Sequence, residues 1–210
     1  MDLTPLFDLR LRTPRLELRL PTHDELVELR ELARAGIHPP DEMPFAVAWT
    51  DEPYSDDWVV GFHEQQLAAW TAADWSLNLG VRCDGELAGT QGIGAERFAE
   101  TRAVGTGSWL GRRFQRRGIG TEMRAAVLEL AFRGLGAEVA RSGAIDGNDA
   151  SLRVSEKLGY RIVGRSTVAP RGEPIGHADL ELRREEWRPP FPVEIEGLEP
   201  CLPLFGVAGA

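Results

Sequence analysis

Apolar and charged residues alternate along Thr13-Pro14-Arg15-Leu16-Glu17-Leu18-Arg19-Leu20, and that period of two predicts a strand with one buried face. The period then changes. Thr22, with Glu25 three residues on, forms a capping box, and Leu26, Leu29 and Leu32-Ala33 recur at helical spacing until Gly36. Residues 37–57 lose all periodicity, and their prolines mark a long loop. It carries Phe45, Trp49 and Tyr54, with Trp58 just after, which either wall a substrate cleft or pin the loop to the core. A helix is predicted from Trp58 to Trp70, then strands over Trp75–Val81 and Glu86–Ile93 joined by an Asp84-Gly85 turn. A charged connection spans 95–102, and Val104–Gly111 forms a glycine-rich strand. Ile119, Met123, Val127 and Leu130 then trace the buried stripe of a helix that stops at Gly134 and Gly136. A strand over Ala137–Ile145 follows, then a helix capped by Asn148 and closed at Leu158-Gly159. Strands from Tyr160 through Val163 and over Gly176–Arg183 complete the pattern.

That order gives a mixed α/β fold with seven strands, covering residues 1–186 as one domain. Residues 187–210 differ: five prolines sit among Phe191, Leu202, Leu204 and Phe205. The segment is too apolar for a free tail and too proline-rich for a helix, so it should pack on its own domain or on a partner subunit. Neither an internal repeat nor a low-complexity stretch interrupts the chain.

With 210 residues, 42% apolar and 27% charged, the chain has the composition of a globular domain with a sizeable core. Its net charge of −9 argues against nucleic acid as the main partner. No apolar run approaches the roughly 20 residues that span a bilayer. The N-terminus lacks the basic and apolar regions of a secretory signal. Cys83 and Cys201 have no metal-like spacing and are too few for a disulfide scaffold, so a reducing cytoplasm is the expected compartment. An EF-hand reading of Asp146-Gly147-Asn148 fails, because Ser151 and Lys157 stand where glycine and glutamate are required, and no metal is expected.

Charge becomes informative at one place. Arg112-Arg113-Phe114-Gln115-Arg116-Arg117-Gly118-Ile119-Gly120-Thr121 lies between a strand and a helix start. With Arg124, the window sets five arginines against Glu122 alone on an acidic chain, which suits a local anion rather than a polyanion. The first N–H groups of a helix have no internal partners and the helix dipole is positive there. A phosphate suits that end, and glycines let it approach the main chain. A glycine-containing helix start with solvated arginines explains the same residues without a ligand. Further on, Asn148, Ser151 and Ser155 share one stripe of their helix.

Gln115-Arg116-Arg117-Gly118-Ile119-Gly120 resembles the Gln/Arg-x-x-Gly-x-Gly/Ala signature of the GNAT N-acyltransferases. Asn148 to Tyr160 resembles that family's Asn-x-x-Ser/Ala and Lys-x-Gly-Phe/Tyr motif, at the matching separation. The opening Thr13-Pro14-Arg15-Leu16, followed by a helix, is similar to the start of the RimJ/RimL branch, and the chain as a whole resembles actinobacterial RimL-like acetyl- or succinyltransferase members. The likeness covers residues 13–185. It implies a strongly twisted seven-strand mixed sheet flanked by helices in three layers. It also implies transfer of an acetyl or succinyl group from acetyl-CoA or succinyl-CoA to a primary amine, by a homo-oligomer, dimer or higher.

The resemblance assigns roles residue by residue. Gln115, Arg116, Arg117, Gly118, Ile119, Gly120 and Thr121 would bind the pyrophosphate, and Asn148 and Ser151 the pantetheine arm. Backbone N–H groups near Trp109 and Leu110 would polarise the thioester carbonyl. Ser155 would protonate the departing thiolate, directly or through water. The family's usual carboxylate base has no counterpart, since Gly105 stands there; Glu100, Asp146 and a water chain are the candidates. A non-catalytic CoA-binding module would share the phosphate loop but would not need Ser155. A nucleotide-binding enzyme would need a complete phosphate-loop motif, which is missing.

Overall fold

The computed structural model describes residues 1–51 and 58–207, with the Trp58 side chain outside the description. Pro53 and Tyr54 of the loop also lie outside the described residues. One sheet of nine strands runs β7-β8-β6-β5-β4-β3-β2-β1-β9. The strands are β1 (Arg10–Arg12), β2 (Leu16–Arg19), β3 (Trp75–Cys83), β4 (Glu86–Ala95), β5 (Ala103–Leu110), β6 (Val139–Ile145), β7 (Arg161–Val168), β8 (Ile175–Arg183) and β9 (Glu194–Glu196). The helices are α1 (His23–Arg34), α2 (Trp58–Ala68), a one-turn α3 (Phe98–Thr101), α4 (Ile119–Glu129) and α5 (Asp149–Lys157). Every neighbouring pair of strands is antiparallel except β5 with β6, which run parallel.

Helices cover both faces because the strands bury both. Leu87 and Ala88 are successive on β4 and therefore point opposite ways. Ala88 joins the main core with α4, while Leu87 joins a separate cluster with Leu26 and Leu29 of α1 and Val59 of α2. The capping box at α1 forms as its sequence requires: Thr22 Oγ1 accepts from the Glu25 N–H at 3.3 Å, and Glu25 Oε2 accepts from the Thr22 N–H at 2.8 Å. Glu25 also receives Arg19 and Arg82 from β2 and β3. Burial pushes its carboxyl up, but the Thr22 N–H and the two guanidinium groups outweigh that and hold it at about 2.

The sheet has nine strands rather than the expected seven. The additions, β1 and β9, are three residues each, too short for an alternating pattern to stand out, and they form one edge. Their register sets Leu11 opposite Ile195 and Arg10 opposite Glu196, and Arg12 donates to Glu196 across the pair at 3.1 Å. Thr13 and Pro14 form the β1–β2 turn instead of strand, with Thr13 Oγ1 accepting from the Leu16 N–H. Beyond β9 a 3-10 turn (Glu199–Phe205) buries Cys201, Leu204 and Phe205. Phe205 packs edge-on against Trp70 and Trp75, with centroids 5.4 and 4.8 Å away, and Trp70 donates to the Leu204 carbonyl at 2.9 Å. Upstream, Trp187 is buried and donates to Glu129 of α4 at 2.6 Å. The α4 stripe continues past Glu129 as a π turn, Leu130–Gly134, before Gly136 turns the chain at φ 69°.

Candidate active site

The site begins at the amino end of α4. Gly118 caps that helix at φ 80°, a conformation that favours glycine, and no side chain caps it. The first amide hydrogens therefore face outward into a cavity of about 620 Å³. Gln115, Arg116, Gly118, Gly120 and Thr121 line it, joined by Arg153 and Lys157 from α5. Gln115 does not offer its amide to a ligand; Nε2 donates to the Ile37 and Leu110 carbonyls at 2.7 and 2.9 Å, which fixes the loop. Arg117 and Ile119 are not in this wall. The Arg117 guanidinium stacks over Phe114 at 5.8 Å, and Ile119 is buried in the core. Glu122 does not oppose the positive island either. It is 1% exposed and holds the β1–β2 turn through Thr13 Oγ1 at 2.7 Å and Arg15 Nε at 2.8 Å.

A second cavity, about 330 Å³, continues from the first past Leu110, Gln115, Gly120 and Val154, which belong to both. It exists because β5 and β6 part. They pair only over Ala103–Gly105 and Val139–Arg141. From Thr106 onward no ladder joins them, so the β5 edge at Gly107–Leu110 faces open space. Tyr160 and Ser142 brace the fork, the Tyr160 hydroxyl lying 3.4 Å from Thr106 Oγ1 and Ser142 Oγ donating to the Thr106 carbonyl at 3.4 Å. Trp109, Leu110, Asn148 and Ser151 all line this cavity. The Asn148 side chain caps α5 by accepting from the Ser151 N–H at 3.0 Å and ties in the 37–51 loop by donating to the Pro44 carbonyl at 3.0 Å.

Ser155 sits behind that wall. It is fully buried and not among the lining residues. Its hydroxyl donates to the Ser151 carbonyl at 3.0 Å and accepts from Arg124 Nη1 at 2.8 Å. Arg124 is the group that reaches the cavity. It is 4% exposed and its Nε has no hydrogen-bond partner among the described residues. Burial pushes its guanidinium below the ordinary arginine range. A sequence count placed Arg124 with the phosphate loop, yet the helix turns it toward the sheet.

A third cavity of about 600 Å³ adjoins the second through Phe45, Thr106, Gly107, Ser108 and Trp109. It is largely apolar, closed by Val59 and Phe62 of α2 and by Val47 and Trp49. The loop aromatics both wall it and pin the loop, in a run of ring contacts from His38 to Phe45, Trp49 and Trp109. Arg171, between β7 and β8, anchors the same loop through Asp51 at 2.6 Å. Neither carboxylate proposed as base reaches these walls: Glu100 is exposed and paired with Arg97, and Asp146 is paired with Arg165. His63 does line the third cavity, a residue the sequence reading left aside. Its one signal was position, a histidine directly after the apolar stretch Val59-Val60-Gly61-Phe62.

An uncapped helix start, a cleft along a parted strand edge and an apolar chamber beyond it adjoin one another through shared walls. The chain belongs to the GNAT acetyltransferase family: the family profile described as "Acetyltransferase (GNAT) domain" matches residues 15–161. It is an acyl-CoA-dependent N-acetyltransferase. Among solved structures, Mycobacterium smegmatis RimJ in complex with CoA-disulfide is 19% identical, covers 87% of this chain and 90% of its own, and has a TM-score of 0.68. The RimL ribosomal L7/L12 alpha-N-protein acetyltransferase in complex with coenzyme A is 16% identical, covers 81% and 95%, and has a TM-score of 0.66. Among the described residues no helix is long and apolar enough to cross a membrane, and no three His, Cys, Asp or Glu side chains converge as a metal site.

Proposed function

We propose that acetyl-CoA, or succinyl-CoA, enters by the amino end of α4, lies along the free edge of β5, and gives its acyl group to a primary amine held in the apolar chamber. The observation that carries this is the continuity of the three cavities across the β5–β6 fork. Amide hydrogens at Gly118–Thr121, with the Arg116 guanidinium, bind the pyrophosphate; Arg117 and Ile119 support the loop from behind it. Asn148 and Ser151 border the pantetheine arm. Edge amides near Trp109 and Leu110 polarise the thioester carbonyl. Holding both reactants across one strand makes the encounter effectively unimolecular.

Ser155 serves the leaving thiolate from behind the wall, through the Arg124 guanidinium that its hydroxyl holds at 2.8 Å. That guanidinium has no carboxylate partner among the described residues, which suits departing sulfur and also admits the carboxylate of a succinyl donor. RimL-type relatives named for a protein α-amino group support a peptide or protein N-terminus as acceptor. A cytoplasmic homodimer completes the reading. Thermal shift with acetyl-, succinyl- and free CoA, then thiol release with an amine panel, tests it. Stabilisation by acyl-CoA with amine-dependent thiol release supports the assignment; no stabilisation by any CoA species overturns it.

A further inference from the structure

His63 is the one titratable side chain among the described residues lining the apolar chamber. It is 7% exposed. Nδ1 lies 2.9 Å from the Val59 carbonyl, one helical turn back. A carbonyl can only accept, so Nδ1 carries the hydrogen and Nε2 is left with its lone pair. That Nε2 is buried and has no hydrogen-bond partner among the described residues. A buried acceptor without a donor costs free energy unless something supplies a proton or a hydrogen bond. The chamber touches Thr106–Trp109 of β5, the strand along which the thioester is proposed to lie.

We propose that His63 Nε2 is the general base that takes the proton from the acceptor amine. The proposal rests on the acyl-CoA reading above. An ammonium entering an apolar chamber loses hydration, which favours its neutral form. Nε2 takes one proton from it, giving imidazolium and free amine. The amine nitrogen forms its bond to the thioester carbonyl carbon and the carbon–sulfur bond breaks, its electron pair leaving on sulfur. The remaining excess proton on nitrogen passes to that thiolate, and the imidazolium returns its proton to water. Ammonium and thioester thus become amide, free thiol and one released proton.

Among the described residues the other elements lining the chamber bring no charged group: β3 contributes Ser76 and Asn78, β4 Thr90, β5 Thr106 and Ser108, and the loop Phe45, Val47 and Trp49. On α2 itself Glu64 is exposed. Burial pushes His63 below the ordinary imidazole range, opposed by the Val59 carbonyl, so the ring is neutral and able to accept at pH 7. His177, which borders the donor cavity with Asp179 3.0 Å from its Nδ1, is the rival histidine.

The test is His63→Phe, which keeps the ring in its apolar seat, beside His63→Gln. The probe is acetyl-CoA with a tripeptide bearing a free N-terminal alanine. Both variants should lower kcat by about 100-fold or more at pH 7, leave the acetyl-CoA Kd within about twofold, and lack the acidic limb of kcat/KM that is expected of the wild type below the ordinary imidazole range. Ring nitrogen NMR of the wild type should show His63 neutral with hydrogen on Nδ1 at pH 7, whatever acceptor is used. Hydrogen on Nε2, a charged ring at pH 7, or a variant that loses rate with its acidic limb unmoved would overturn the proposal, as would a limb that moves with His177→Gln instead. Failure of wild type to bind acetyl-CoA would sink the wider reading, not this one alone.

Discussion

The two sides of β5 are built from opposite materials. The proposed donor side is polar and largely basic: amide hydrogens at Gly118–Thr121, Arg116, Arg153, Lys157, and Arg124 with Ser155 behind, with Glu42 also in its wall. The acceptor side is apolar, with aromatic walls and His63 as its titratable group among the described residues. In the proposed reading, a charged carrier gripped at many points takes the first side, and an amine stripped of water and of a proton takes the second. The difference teaches that one strand can separate two dielectric environments, which would let binding and proton removal be tuned independently.

The comparison breaks most readily at Gly120. Its Cβ would meet Val154 at 3.6 Å and Leu110 at 3.8 Å, both ordinary contacts, so the fold accepts a larger residue while the cavity does not. Gly120→Leu is expected to weaken acetyl-CoA binding by roughly 100-fold, about 2.7 kcal/mol, with little change in Tm, by calorimetry and thermal melts. Removing residues 187–210 should act on the scaffold instead. Uncovering Trp70, Trp75 and the β1 edge is expected to cost about 3–5 kcal/mol in urea unfolding, through the lost burial of Phe205 and Leu204.

Glu25 offers a control remote from both sides. Its carboxyl is held low, at about 2, so its ion pairs stabilise the fold above the unfolded value of 4.5 and that stability is lost as pH falls toward 2. Glu25→Gln should cost about 3 kcal/mol at pH 7, flatten the acid limb of the stability curve in that window, and leave kcat unchanged. The smallest effect is expected at Ser155. Ser155→Ala should lower turnover by about tenfold through a loosened Arg124 while the acetyl-CoA Kd stays put, read by steady-state kinetics and calorimetry. An unchanged kcat would remove Ser155 and Arg124 from the leaving-group side.

Legibility in the sequence follows the same divide. The donor side was readable because it is made by consecutive residues: Gly118 must take a positive φ, and Asn148 must cap α5, so backbone geometry dictates residue type. The central strands and the Thr22–Glu25 box were readable from period and capping alone. What local pattern could not show was distance. Arg124 looked like one more arginine of the loop, until helix rotation carried it to Ser155. Ser155 itself looked exposed to the cofactor, yet its neighbours bury it. His63 gathers its meaning from Val59, Thr90 and Trp109, on three elements. The outer strands β1 and β9 draw their stability from pairing with each other, which three-residue patterns cannot announce.

One experiment tests the central claim most directly: a crystal structure with an acetyl-CoA analogue whose thioester is replaced by an unreactive linkage to a peptide amine. The diphosphate should accept from the N–H groups of Gly118–Gly120, the linkage should lie in the fork between Thr106 and Ser142, and the peptide should enter the chamber beside His63. A diphosphate bound away from α4, or a peptide leaving on the α5 side of β5, would contradict the account.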